Sequence, residues 1–441
     1  MSAYEFLSKF FARLNKEKIT YCILRNYEDL PEKFGNDVDI WVKDEHGEKF
    51  YELVRDLAST LDYTPRLTII GEGDYFLIKE SDNFTSIIHI DCWTYIHWKG
   101  IPYIKQSTIE NNLQWYEKGF YILSPEIAIS IMLLKELLQY GKVKEKYKDI
   151  IKKIAEKNSS VVLMAFGECF GRKYGKIILE LAKNGNWETL EKKTNKLRTI
   201  LLIRSFLQPL SQFKWWLRYF CAQFRRFFVN SRGIFLVFIG PDGSGKSTTA
   251  NNLIESEIKR FFQKKYYFHG HFPYLPEMKK IVSVFKKNKS LNTSSPEFNL
   301  SKSFGTLRSM IYPIYYGFNY FLGHFFIWKE KARAGLIIFD RYFYDYYLQS
   351  QFINCPRWLL RIIEKIIPKP DMIIFLKNKP EIIHSRKTEL PIEEIQRQSY
   401  ICEQIVKRNK DRSIVIETST IEEVLLYIQK SIINKIINKQ R

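Results

Sequence analysis

Six apolar residues, Ile234 to Ile239, run directly into Gly240-Pro-Asp-Gly-Ser-Gly-Lys-Ser247. The apolar run predicts a strand buried on both faces, the kind that parallel sheets contain. The segment after it fits the pattern G-x-x-x-x-G-K-[ST]. A chain that wraps a phosphate must present successive N–H groups to it, so Gly240, Gly243 and Gly245 keep Cβ atoms out of the wall. A helix predicted to start near Lys246 points its positive end at the anion. Lys246 then reaches the β and γ phosphates and Ser247 ligates Mg²⁺, while Asp242, Ser244 and Thr248 complete the cradle.

A strand of this type belongs to an open α/β sheet, where ligands gather at the carboxyl ends of strands. Leu336-Ile-Ile-Phe-Asp340-Arg341 reads as a second buried strand ending in a charged pair. Asp340 is expected at the mouth of the loop, holding Mg²⁺ or its water, with Arg341 free to grip an acceptor phosphate. A third strand is predicted at 371–376, then a helix from Lys379-Pro380-Glu381 that carries Arg386 and Lys387. A basic helix there neutralises charge on a phosphoryl group in transit. A strand at 413–416 and a helix from Ile421 finish the region. His269 and His271 are expected on one face of a strand, as a polar acceptor wall rather than a metal site.

Met310 to Trp328 contains no Asp, Glu, Lys or Arg and is long enough to span a bilayer. A span would put the phosphate loop and the Asp340 strand on opposite sides of the membrane. The segment is therefore predicted to be a buried helix walling the acceptor pocket. The net charge of +21 favours polyanions: nucleotides, nucleic acid or an anionic membrane surface. The six cysteines form no C-x-x-C pair, which suits a reduced cytoplasm and argues against zinc or a disulfide framework. Residues 1–18 alternate charge and apolarity like an amphipathic helix, not a signal peptide. A cytoplasmic protein is expected, with the inner face of the membrane as a second location.

From residue 231 onward the chain resembles the thymidylate kinase family of P-loop kinases. The carrying stretches are GPDGSGKST at 240–248, FDRY at 339–342, the proline-glutamate to arginine-lysine segment at 380–387, and the last strand and helix. The resemblance implies ATP–Mg²⁺ as donor and a monophosphate as acceptor. It implies that Asp242 meets the acceptor's sugar, that Asp340 and Arg341 flank its phosphate, and that Arg386 is a lid arginine. The acceptor side departs from the family. Phe268-His-Gly-His-Phe-Pro273 lacks the arginine usual there, and Phe343-Tyr-Asp345-Tyr-Tyr-Leu-Gln349 replaces a run of small residues. A nucleoside monophosphate and another small phosphate or hydroxyl acceptor both stay open.

Near the front, Gly35-Asn-Asp37-Val-Asp39-Ile leads from a turn into a strand. Period two puts Asp37 and Asp39 on one face, where like charges repel unless a divalent cation lies between them. Asp91 sits in a later apolar strand, Ser86 to Trp93, and a third carboxylate completes a two-metal site. These three residues resemble the D-x-D and third aspartate of polymerase-β-type nucleotidyltransferases. Where that superfamily carries a G-[GS] pair, this chain has Leu24-Arg25-Asn26-Tyr27. An active transferase and a binding-only domain remain alternatives.

Residues 122–230 read as helices, beginning at Ser124-Pro-Glu. From Lys192 to Pro241 there is no acidic residue, and basic side chains interleave with aromatic ones. Residues 204–228 suit either a packed bridge between domains or an anionic membrane surface. A nucleic-acid partner is not expected, since no such module is recognisable; the oligomeric state is left open. The organisation expected is an α+β nucleotidyltransferase-like domain at 1–121, a helical domain and basic linker at 122–230, and a three-layer α/β parallel-sheet kinase domain at 231–441. A nucleotide-gated switch or membrane-surface scaffold with slow ATP hydrolysis is the competing function.

Overall fold

Two sequence periods divide the chain into two kinds of sheet. The computed structural model describes residues 3–67, 73–80, 85–228, 233–278, 304–417 and 420–438. The boundary expected at 230/231 and Arg232 lie outside the described residues, as does the Arg226 side chain. Chain contacts separate a first unit, 1–225, from a second, 226–441.

In the first unit, alternating residues build a mixed seven-stranded sheet. Its strands are β1 (Tyr21–Ile23), β2 (Val38–Val42), β3 (Thr64–Leu67), β4 (Gly73–Glu80), β5 (Thr85–Trp93), β8 (Leu113–Tyr116) and β9 (Phe120–Leu123); β6 (His97–Trp98) and β7 (Ile101–Pro102) pair separately. The sheet order is β3-β4-β5-β2-β1-β9-β8. On β1 and β2, Tyr21, Ile23, Val38, Ile40 and Val42 pack with the helices Ala3–Lys16 and Gly47–Thr60. Cys22 and Trp41 point the other way, into a core shared with helices between Pro125 and Leu207. The helices expected from residue 122 thus belong, as far as residue 225, to the first unit.

In the second unit the three inner strands are continuous apolar runs, as burial on both faces demands, while the two edge strands are partly exposed. β10 (Ile234–Ile239), β11 (Lys264–His269), β12 (Gly335–Asp340), β13 (Met372–Lys377) and β14 (Ser413–Glu417) are all parallel, in the order β11-β12-β10-β13-β14. The chain moves from β10 to one side, then crosses to the other. That reversal opens a crevice at the carboxyl end of β10, where an open α/β sheet binds its ligands.

Met310 to Trp328 lies within one helix, Thr306–Ala332. Among the described residues no helix is long and apolar enough to cross a membrane. The expectation of a buried helix holds for one face only. Pro313, Tyr316, Tyr320 and Gly323 are buried, and a Cβ on Gly323 would come within 2.1 Å of the Phe272 ring. Leu307, Ile314, Phe318 and Phe325, spaced at helical period on the opposite face, are exposed.

Candidate functional site

The phosphate loop follows β10 directly, and the helix Lys246–Glu255 starts at its end. Gly243 and Gly245 have φ of +89° and +94°, a left-handed backbone that glycine adopts without a Cβ penalty. Lys246 is 6% exposed, and its ammonium donates to the carbonyls of Gly240 (2.7 Å) and Pro241 (2.8 Å). The Ser247 hydroxyl donates to Oδ2 of Asp340. Tyr267, from the neighbouring strand, donates to the same oxygen at 3.0 Å. Among the described residues the other oxygen, Oδ1, has no hydrogen-bond partner, although Asp340 is only 1% exposed. A buried carboxylate oxygen without a donor is costly. Together with a hydroxyl beside it, it is the oxygen set that Mg²⁺ takes, so these residues fit the expected ion.

Asp242 forms the second node. Arg341, held at a φ of +67°, donates to it, with Lys246 at 3.6 Å and Lys387 at 4.0 Å. These cations hold the Asp242 carboxyl below its usual range despite the opposing effect of burial. A cavity of about 760 Å³ is lined by the loop from Asp242 to Thr249, together with His269, Asp340, Arg341, Arg386 and Lys387. Gly240 lines a smaller neighbouring cavity with Asp242 and Arg341. The residues expected at this site, Gly240 through Thr248 with Asp340, Arg341 and Arg386, thus gather at one mouth. Arg386 closes the helix Pro380–Arg386 and stays exposed.

The two histidines part company. His269 ends β11, its ring 3.7 Å from Asp340, while Gly270 turns the chain at a φ of +90° and His271 leaves the strand to stack on Tyr316. Their expected common strand face is therefore corrected by the bend at Gly270. Sequence reasoning also passed over Tyr267 and the full placement of Asp345. Period two from His269 could have pointed to Tyr267, which shares its strand face.

In the first unit the parallel pairing of β2 with β5 sets Asp39 opposite Asp91. One ligand atom from each of Asp37, Asp39 and Asp91 lies within 4.8 Å of the others. Burial first, and then the charge of Asp39 on Asp37 and of Asp74 and Asp39 on Asp91, push the carboxyl groups of Asp37 and Asp91 above their ordinary values. Asp74 is the β4 partner of Asp91 and hydrogen-bonds His89 at 2.8 Å. This crowding of oxygens suits a divalent cation. Arg25 is the unforeseen participant: its Nε and Nη2 donate to the two oxygens of Asp39 at 2.5 and 2.8 Å. The arginine where a glycine pair was looked for thus reaches the D-x-D itself.

A glycine-rich loop, a parallel sheet that reverses order beside it and a buried carboxylate next to the loop serine meet in one crevice. The second unit is an α/β fold whose glycine loop opens a crevice at the carboxyl end of its parallel sheet. Two solved structures resemble part of the chain. Thymidylate kinase from Ehrlichia chaffeensis is 17% identical with a TM-score of 0.31, covering 45% of this chain and 98% of its own. Thymidylate kinase from Candida albicans is 22% identical with a TM-score of 0.34, covering 48% of this chain and 94% of its own. No family model matches the chain. No curated protein matches it.

Proposed function

We propose that the protein is an ATP-dependent phosphotransferase acting on a small phosphate or hydroxyl acceptor, fused to a nucleotidyltransferase-like domain. The observation that carries this reading is the Ser247–Asp340 contact with its unpartnered Oδ1 at the end of the glycine loop. In this reading Gly243, Gly245 and the start of the helix after them cradle the phosphates. Lys246 leaves its two carbonyls to meet the β and γ oxygens. Ser247 and Asp340 hold Mg²⁺, which neutralises phosphate charge when bound. Arg341 orients the acceptor, and Arg386 and Lys387 close over the mouth. An ADP-release assay with ATP and Mg²⁺, run over nucleoside monophosphates, sugars, polyols and their phosphates, tests it. Acceptor-dependent ADP release at least about tenfold above hydrolysis alone is expected; none with any acceptor would refute the reading.

A second reading has its own observation. Leu210, Phe213, Leu217, Phe220 and Phe224 recur at helical period along the helix Pro209–Phe228, and with Phe206 at the end of the helix before it they are all exposed, Leu210 at 94%. Lys214 and Arg225 are exposed beside them. An apolar stripe flanked by cations suits an anionic membrane surface. Vesicles containing phosphatidylserine should then pellet the protein at low salt. Replacing Phe213 and Phe220 by serine should cut the vesicle partition coefficient about a hundredfold, since each loses on the order of 1.5 kcal/mol of apolar burial. Equal pelleting of the variant, or pelleting with uncharged vesicles alone, would dispose of this reading.

A further inference from the structure

Beyond the phosphate loop, Arg341 leads into a second cavity of about 410 Å³. The first cavity and this one share His269 and Arg341, so a group leaving the loop mouth enters it directly. Its walls are aromatic: Phe304, Tyr312, Tyr316, Tyr320, Tyr346 and Phe352. Its polar edge holds His271, Gln349, Gln351 and one carboxylate, Asp345.

Asp345 stands at the first turn of the short helix Asp345–Leu348, five positions after Asp340. It also lines a small cavity with Gly240, Asp242 and Arg341, so the same carboxylate faces both the acceptor space and the root of the phosphate loop. Its hydrogen bond from Gln349 is long, at 3.4 Å. A carboxylate so placed repels a phosphate monoester, which arrives with nearly two negative charges. Arg341 is already paired with Asp242, and Arg308 lies over the Phe304 ring at 4.1 Å. A neutral acceptor meets no such repulsion, and a hydroxyl needs a base. Aromatic faces pack against the C–H surfaces of a sugar ring, while amide and imidazole edges bond its hydroxyls.

We propose that the acceptor is a neutral polyhydroxyl compound, a sugar or polyol, and that Asp345 takes the proton from its attacking hydroxyl. The proposal rests on the phosphotransferase reading and narrows it. The acceptor O–H bond breaks and its proton passes to the Asp345 carboxylate. A bond forms between that oxygen and the γ phosphorus of a nucleoside triphosphate. The bond from that phosphorus to the β,γ-bridging oxygen breaks, and its electron pair leaves with the nucleoside diphosphate. Burial raises the Asp345 carboxyl to about 6, a value suited to a base near neutral pH.

The full-length protein with ATP and Mg²⁺ is incubated separately with monosaccharides, polyols, nucleosides and nucleoside monophosphates, and the products are read by phosphorus NMR. Calorimetry measures binding of ATP and of each acceptor. A new phosphate monoester on a sugar or polyol is the expected result. In Asp345→Asn its kcat should fall by about 10²–10⁴-fold, while the acceptor's dissociation constant changes less than about threefold, because the amide keeps the shape and loses only the base. A kcat loss below about tenfold overturns the role of Asp345. Phosphoanhydride formed on a nucleoside monophosphate alone, or an ester on nucleosides alone, overturns the acceptor class and leaves the phosphotransferase reading standing. Absence of both ATP binding and transfer overturns that reading and this one with it. ATP binding without transfer to any hydroxyl compound overturns this proposal alone.

Discussion

Lys246→Ala should lower phosphoryl transfer by about 10²–10³-fold or more, the scale set by removing one preorganised charge-stabilising donor from a phosphate or oxyanion site. The side chain is 6% exposed and held against Gly240 and Pro241 by two short hydrogen bonds. It is therefore aimed before any nucleotide arrives and pays little ordering entropy when it shifts to the phosphates. Truncation leaves those two carbonyls short of a donor, at a cost of about 1–3 kcal/mol. Asp242 still has Arg341 as a partner. The fold should persist, with far-UV circular dichroism unchanged and a melting shift of no more than roughly 10 °C. Steady-state ADP release decides the matter: a variant that turns over within about threefold of the parent would remove Lys246 from the chemistry.

What was legible in the sequence follows the range of the interactions that fix each feature. The phosphate loop is written locally, because its backbone needs φ above zero at Gly243 and Gly245 and only certain residues supply that conformation. Asp340 was legible because it ends an apolar strand, and parallel pairing with β10 then carries it to the loop. Asp37, Asp39 and Asp91 needed only the two-residue period and one strand pairing. Arg25 was not legible as a partner of Asp39, since its reach depends on the pairing of β1 with β2 and the turn at Asn26. Asp345 was visible as a departure, but its place between two cavities depends on the path of the chain after Arg341. The helix Thr306–Ala332 is apolar on nearly every side, so its composition did not reveal which face lacks neighbours.

Arg25→Ala should destabilise the first unit by about 3–5 kcal/mol, the usual result of leaving a buried carboxylate without its cation. Asp39 is 2% exposed, and the guanidinium satisfies both its oxygens. Without it, three carboxylates with ligand atoms within 4.8 Å share one pocket. For a unit of this size the melting temperature should drop on the order of 10 °C. The carboxyl of Asp37 already lies above its ordinary value through burial and the charge of Asp39, and losing the Arg25 cation raises it further. A carboxyl raised in the folded state costs stability in full once pH exceeds the raised value, and the cost fades as pH falls from that value to the ordinary carboxyl value. The variant should therefore regain stability on acidification more steeply than the parent, until general acid unfolding intervenes. Mn²⁺ should substitute for the missing charge. Millimolar Mn²⁺ at about a hundred times its dissociation constant restores roughly 2.7 kcal/mol, and the parent gains less because Arg25 competes for Asp39. A thermal melt of both proteins, with and without Mn²⁺ at two pH values, separates the ideas. Equal Mn²⁺ shifts in parent and variant would mean that Arg25 does not compete with a cation. A drop below about 3 °C would mean that the pair contributes little to the fold.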